Sequence, residues 1–320
     1  RDVAPSRGLG DVYKRQLLDN TSISYCHYDV NITDNQLIPI EILKEGILFA
    51  MKNNLKIQYI LPQYDLPQNY IELMDSMFHD NIGPSGLTTQ ISVIVFNGLQ
   101  EIDIKTLDCS KQYVIRIKIN DFIEHYKTIM KLFEIGISFN IVFIDVESFS
   151  ETQIQVYRKI LSELVKCIEN SIMAGNNIHT NLITDRIALD YMNNCGAGDT
   201  SITLAPDGKF YPCPAFYYDN NTYYTIGNID MGLNIKNKNL YKLEYSPLCK
   251  RCDAYHCKRC VWLNKKLTYE INTPSRQQCV MSHLEREASK LLLEIFHKHN
   301  ILLEKEIKTI NYIDPFDNYK

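Results

Sequence analysis

The sequence predicts an α/β protein: a parallel sheet with helices outside it, open or partly closed into a barrel, then a small cysteine-rich region and a C-terminal helix. Three observations lead there. From about residue 37 to 190, helix-like and strand-like segments alternate. From Cys195 onward segments shorten, turns such as Pro206-Asp207-Gly208 appear, and periodicity is lost. Seven of the ten cysteines fall in 195–279, where an even spread would put between two and three.

Each element has a local reason. In 40–54 the apolar residues Leu43, Ile47, Leu48 and Met51 recur at helical spacing. The run 57–61, IQYIL, reads as a strand, and 69–78 as a short helix. The β-branched runs 91–96 and 113–119 read as strands. An amphipathic helix is expected over 121–136, stopped by Gly136. The continuous apolar run 140–146 suits a strand covered on both faces. A long helix over 150–175 starts at a serine-rich cap and ends at Gly175. A further strand is expected at 180–184, and helical spacing returns at 282–299. The expected domains are thus 17–190, 191–282 and 283–320. Residues 1–16 are set apart as a non-native or disordered tail without function, because 11–16, DVYKRQ, resembles a translated adaptor sequence.

Composition narrows the function. A net charge of −4 and a pI of about 6.1 give no basic field for nucleic acid or anionic membrane. No run of about 18 apolar residues offers a membrane span. The first residues lack the apolar core of a signal peptide, so a cytoplasmic, reducing setting is expected. No Gly-Lys-Ser/Thr ending follows the turn PSGLTTQ at 84–90, so it is no phosphate loop.

In a reducing setting, an odd count of seven clustered cysteines with two C-x2-C pairs points to metal rather than disulfides. The spacing is Cys195, twelve residues, Gly208, four residues, Cys213; then Cys249-x2-Cys252-x4-Cys257-x2-Cys260; then Cys279. Thiolates are soft ligands, and a cubane iron–sulfur cluster takes four of them. A single tetrahedral zinc in the central block is the alternative. Its four-residue spacer is much shorter than is usual for zinc pairs, and zinc leaves Cys195, Cys213 and Cys279 unexplained.

This order of cysteines, with Cys-Gly-Ala-Gly at 195–198, PDGKFYPCPAF at 206–216 and IGNI at 226–229, resembles the SPASM domain of radical S-adenosylmethionine peptide-modifying enzymes. Two spacers of the central block are one residue shorter than that family's. The resemblance implies two 4Fe–4S clusters: an outer one on Cys249, Cys252, Cys257 and Cys279, and an inner one on Cys195, Cys213 and Cys260. The family often has an eighth cysteine shortly after the first; here GAGDTSIT follows Cys195. Water, substrate or Asp199 are the candidates for the fourth inner position.

Upstream, the family's C-x3-C-x2-C motif is absent. The segment 19–28, DNTSISYCHY, looks like its remnant: Asp19 and Ile23 stand where two cysteines would be, and Cys26 keeps the third. The chain thus resembles a degenerate radical S-adenosylmethionine/SPASM protein, nearest the CXXX-repeat peptide maturases. That implies a partial (β/α) barrel, a role in maturing a ribosomally made Cys-repeat peptide, and an intact radical S-adenosylmethionine enzyme as partner. Without the cluster motif, neither binding nor cleavage of S-adenosylmethionine is expected. The competing readings are an enzyme acting through an open iron of the inner cluster, and a zinc-stabilised interaction module.

Other residues carry simpler expectations. Tyr211, Tyr217, Tyr218, Tyr223 and Tyr224 crowd the sequence around Cys213 and are expected to pack about it rather than face a peptide. His256 is expected in a solvated loop, rather than as an alternate ligand, and His283 at a helix start or surface. Cys109 and Cys167 read as buried small hydrophobes.

Overall fold

The computed structural model describes residues 13–192, 195–219, 224–299 and 301. In chain order the elements are β1 (Tyr13–Leu17), α1 (Ile40–Lys52), β2 (Lys56–Ile60), α2 (Gln68–Met74), β3 (His79–Pro84) and β4 (Val93–Asn97). Next come β5 (Gln112–Ile117), α3 (Ile119–Glu134), β6 (Phe139–Phe143), α4 (Glu151–Met173) and α5 (Asp185–Ala188). The last are β7 (Ser201–Leu204), β8 (Phe210–Tyr211), α6 (Pro214–Tyr218), β9 (Gly227–Asn228), β10 (Gly232–Leu233), α7 (Val261–Thr268) and α8 (Arg276–Lys298). The architecture is α/β and mostly parallel, as the alternation predicts.

The chain divides into two compact units that interleave along the sequence. Of the described residues, one holds those from Tyr13 to Val95 together with those of 195–242; the other holds those of 96–192 and those from Leu243 on. The expected succession of 17–190 and 191–282 is a division by sequence, and the contacts divide the chain differently.

In the unit that contains β1, strands β4, β3, β2, β1 and β7 pair in parallel in that spatial order, and β8 closes antiparallel on β7. Its core gathers Leu43, Ile47 and Ala50 of α1 against Ile57, Tyr59, Ile202, Leu204 and Phe210. Phe49 sits with its ring 4.7 Å from that of Phe210. Gly46 lets α1 approach the sheet: a Cβ there would stand 2.7 Å from Leu204 Cδ2 and 2.9 Å from Gln16 Oε1.

β1 overturns part of an expectation. Tyr13–Gln16, set apart as tail, form a buried strand between β2 and β7; residues 1–12 lie outside the described residues. A strand covered on both faces ordinarily reads as an apolar run, yet Lys14, Arg15 and Gln16 are all buried here. Burial holds the Lys14 ammonium well below its usual pKa. The amide nitrogens of Gln16 and of its neighbour Gln58 are buried without a hydrogen-bond partner. The strand position is fixed by its neighbours' backbones rather than by its own side chains.

In the other unit β5 and β6 pair in parallel along Tyr113–Ile117 and Phe139–Phe143. Phe122 of α3, Phe143 of β6 and Tyr157 of α4 meet edge to face, with centroids 5.2 to 5.6 Å apart. A capping box starts α4: Ser150 accepts from the Gln153 N–H and Gln153 reaches back to the Ser150 N–H. Two expectations change. Residues 180–184 make a hydrogen-bonded turn rather than a strand, because Thr180 O takes the N–H groups of Thr184 and Asp185. Helix α8 begins at Arg276, capped by Ser275, and so takes Cys279 and His283 into its first turns. β3, with the sequence HDNIGP, has no apolar alternation and was not expected. Among the described residues no helix is long and apolar enough to cross a membrane.

Replacing Gly46 with Val is expected to lower stability by about 1–3 kcal/mol, through overpacking of α1 against β1 and β7. Denaturant unfolding with an unchanged m-value would show it; an unchanged midpoint would mean that α1 can lift away from the sheet without cost.

Candidate metal centre

The outer cysteines begin in a 3-10 turn at Cys249–Arg251 and continue through the loop 252–257. Cys249, Cys252 and Cys257 pack with Met192, Leu243 and Ala254 in one small cluster. Their thiols are within electrostatic reach of one another, Cys257 acting on both Cys249 and Cys252. Burial, with that neighbour, pushes the Cys249 thiol up to about 11 and the Cys252 thiol up to about 12. Burial also raises Cys257, against a side-chain hydrogen bond from Ser282. Cys279 lies in the first turn of α8, and His283, four residues on, shares its face. His283 Nε2 is 3.6 Å from Cys252 Sγ, so this face of α8 turns toward the cysteine loop.

What fixes the loop is ionic. Asp253 is clamped by two buried arginines: Arg186 Nη2 donates to its Oδ2 at 2.9 Å and Arg286 Nη1 to its Oδ1 at 3.3 Å. Arg186 Nε also donates to the Asp253 carbonyl at 2.8 Å. Burial alone would raise the Asp253 pKa, but Arg286 and Arg186 outweigh it and hold the carboxyl below its usual range. One step along, His256 Nε2 lies 3.1 Å from Glu285 Oε2, while Glu285 Oε1 accepts from Tyr157 OH at 2.8 Å. The loop between Cys252 and Cys257 is therefore tied to α5, α8 and α4 at two consecutive anchor points.

This corrects two expectations. His256 is buried beside Glu285 rather than solvated. His283 is neither a cap nor a surface residue; it faces a cysteine of the outer set. The sequence signal for both is a polar residue at helical spacing from Cys279 or inside the cysteine loop, which periodicity alone reads as surface.

Asp185, at the start of α5, is fully buried and neither carboxylate oxygen has a hydrogen-bond partner. Burial raises its pKa, against Lys258, His179 and His256.

The other cysteines of the predicted set divide between the units. Cys260 belongs with the outer set's unit, where its Sγ accepts the Leu263 N–H at 3.4 Å as α7 begins. Cys195 and Cys213 belong to the unit of β1. Cys213 precedes α6, and its carbonyl accepts the Phe216 N–H at 3.2 Å. Burial raises its pKa strongly, with Cys195 and Cys26 adding to the rise. Asp199 lies half-buried in the turn whose N–H bonds to Gly196 O.

The tyrosines near Cys213 pack on one another, as expected. Tyr211 meets Tyr217 at 5.6 Å and Tyr217 meets Tyr218 at 5.0 Å between centroids. Tyr224 packs on Phe216, and Tyr223 lies outside the described residues. Cys167 is buried as expected, but Cys109 is exposed.

The remnant motif at 19–28 closes on itself. Asp19 Oδ1 accepts from Thr21 N at 2.7 Å and its Oδ2 from Tyr64 OH at 2.7 Å. Ser22 Oγ accepts from Asp19 N at 3.0 Å and donates to Ile60 O at 2.8 Å. Ile23 is buried and its N–H bonds to Leu61 O. Asp19, Ser22 and Ile23 are thus held by partners within the loop and by Ile60, Leu61 and Tyr64.

Among the described residues, no three His, Cys, Asp or Glu side chains converge as a single metal ion requires. A cubane spreads its irons over separate corners and takes one thiolate at each, so its ligands stand further apart than those around one zinc. None of the ten cysteines is in a disulfide. Soft donors, and N–H groups aimed at the sulfurs of Cys252 and Cys260, are the features that such a cluster uses.

Two outcomes follow for the anchors. Asp253→Ala should cost about 3–5 kcal/mol, because it leaves two buried arginines without their anion; a loss under 1 kcal/mol in chemical denaturation would show that the clamp is dispensable. Asp185→Asn should stabilise the protein at pH 7. The folded pKa of Asp185 is raised, so its contribution is whole below the ordinary carboxylate pKa of about 3.9 and is lost as pH rises through the folded value. The gain should therefore vanish near pH 3, and melting curves at both pH values check it.

No protein-family profile matches the chain, and no curated protein matches it. Solved structures do. The structure of hexahistidine-tagged anSMEcpe with bound AdoMet matches with a TM-score of 0.57 at 14% identity, over 89% of this chain and 99% of that one. Native anSMEcpe with bound AdoMet and Kp18Cys peptide matches with a TM-score of 0.56 at 15% identity, over the same shares. At such identity the likeness is one of fold, and the chain has the α/β fold of the radical S-adenosylmethionine/SPASM protein anSMEcpe.

Proposed function

We propose that this is an iron–sulfur SPASM protein that takes part in maturing a ribosomally made Cys-repeat peptide in the cytoplasm. It binds the peptide, and it relays electrons or positions the substrate for an intact radical S-adenosylmethionine partner. The observation that carries this reading is the contrast between two regions. The outer cysteine loop is held open for ligands by buried ionic anchors, while the 19–28 loop has replaced its cluster by the Asp19–Thr21–Tyr64 hydrogen bonds. The fold of anSMEcpe, seen with AdoMet and a peptide, supports a peptide-handling role.

Cys249, Cys252, Cys257 and Cys279 would hold the outer cluster, and Cys195 and Cys213 the core of the inner one. When bound, such clusters supply one-electron transfer at potentials set by burial and hydrogen bonds to sulfur. The chain's own residues do the rest. Arg186 and Arg286 fix Asp253, and with it the approach of Cys252. Glu285 fixes His256, and with it Cys257. Leu243, Met192 and Ala254 exclude water from the thiols.

Anaerobic reconstitution should give up to two 4Fe–4S clusters per chain, read by iron and sulfide analysis and by the visible spectrum. Stoichiometric zinc with no sulfide would overturn it. With dithionite and S-adenosylmethionine the protein alone should release no 5′-deoxyadenosine, and detection of that product by mass spectrometry would refute the reading of 19–28.

A further inference from the structure

Cys195 and Cys213 by themselves fall short of a cubane's four thiolates, and the structure brings an eighth thiol toward them. We infer that Cys26 is a ligand of the metal group held by Cys195 and Cys213. The inference rests on the iron–sulfur reading above and deepens it.

The three cysteines belong to one compact unit, although Cys195 lies 169 positions after Cys26. Two independent contacts bring them together. The first runs through β1. Ser201 Oγ donates to the Cys195 carbonyl at 3.2 Å and accepts from Arg15 Nη1 at 2.7 Å. The Arg15 guanidinium lies 5.9 Å from the ring centroid of Tyr25, the residue before Cys26. The second runs through α6, whose entry is Cys213. Tyr218, at its other end, stacks on Tyr28 at 5.2 Å with 11° between the rings, and its hydroxyl donates to Ser22 O at 3.2 Å. So the 22–28 loop is fastened to the loop of Cys195 on one side and to the helix of Cys213 on the other.

The electrostatics agree with the geometry. Cys26 and Cys195 both act on the buried Cys213 thiol, and all three act on Arg15. Arg15 is 5% exposed. It makes no ion pair with a carboxylate among the described residues. A guanidinium stays charged in any protein and needs a nearby anion when buried. The titratable groups that act on it are three thiols and the Tyr25 phenol.

The remnant motif thereby keeps a use. Its first two ligand positions have become Asp19 and Ile23, which close the loop without metal, and its last cysteine serves the neighbouring site.

The test compares the full chain with its Cys26→Ala and Cys26→Ser variants after anaerobic reconstitution with iron and sulfide. Cys109→Ala, an exposed cysteine outside both sets, is the control. Iron and sulfide per chain and the electron paramagnetic resonance of the reduced protein are the readouts. Both Cys26 variants should lose about half of the iron, and one of two resonance signals, if the inner cluster depends on its fourth thiolate. Adding 2-mercaptoethanol during reconstitution should restore them in Cys26→Ala and leave the unchanged protein unaffected. Iron content and resonance equal to those of the unchanged protein in both variants would overturn the inference while leaving the iron–sulfur reading intact. Absence of iron and sulfide from the unchanged protein would overturn both.

Discussion

The clamp of Asp253 between Arg186 and Arg286 is the interaction on which the cysteine region depends. A loop with few apolar residues cannot order itself by burying surface, and a segment of this size ordinarily relies on its metal. Here a carboxylate between two cysteines takes hydrogen bonds from two helices, and each partner has been removed from water. Such a triad contributes little net stability against an apolar core of equal volume, yet it tolerates one arrangement only. It therefore acts on geometry: it fixes the loop between Cys252 and Cys257. The Tyr157–Glu285–His256 chain repeats the device three residues later.

The two cysteine regions have different physical support. In the outer region order comes from buried ion pairs and α8, and burial raises the Cys249 and Cys252 thiols. In the β1 unit order comes from the sheet and from a tyrosine stack, with a buried arginine in place of a buried carboxylate. Both arrangements place neutral thiols in low-dielectric surroundings, and there metal ligation is strongly coupled to proton release.

The loop at 19–28 is closed by its own polar groups. Asp19 takes the N–H of Thr21 and the hydroxyl of Tyr64, Ser22 joins Asp19 to Ile60, and Ile23 fills apolar space. Each of these bonds satisfies a group that would otherwise be orphaned in the interior.

The sequence by itself determined the α/β class and most helices and strands, because hydrophobic periodicity is a local pattern. The α4 cap was legible from Ser150 and Gln153, and the strand over 139–143 from its apolar run. What stayed hidden depends on partners far away in sequence. β3 pairs through its backbone with little side-chain signature. Tyr13–Gln16 became a central strand because β2 and β7 supply the hydrogen bonds, whatever the side chains prefer. The turn at 180–184 won over a strand because the Thr180 carbonyl accepts the N–H groups of Ile183, Thr184 and Asp185. His256 and His283 looked like surface residues until Glu285 and Cys252 were placed beside them. The neighbourhood of Cys26, Cys195 and Cys213 was decided only by tertiary structure, since the sheet and the Tyr28–Tyr218 stack join segments that no local pattern relates.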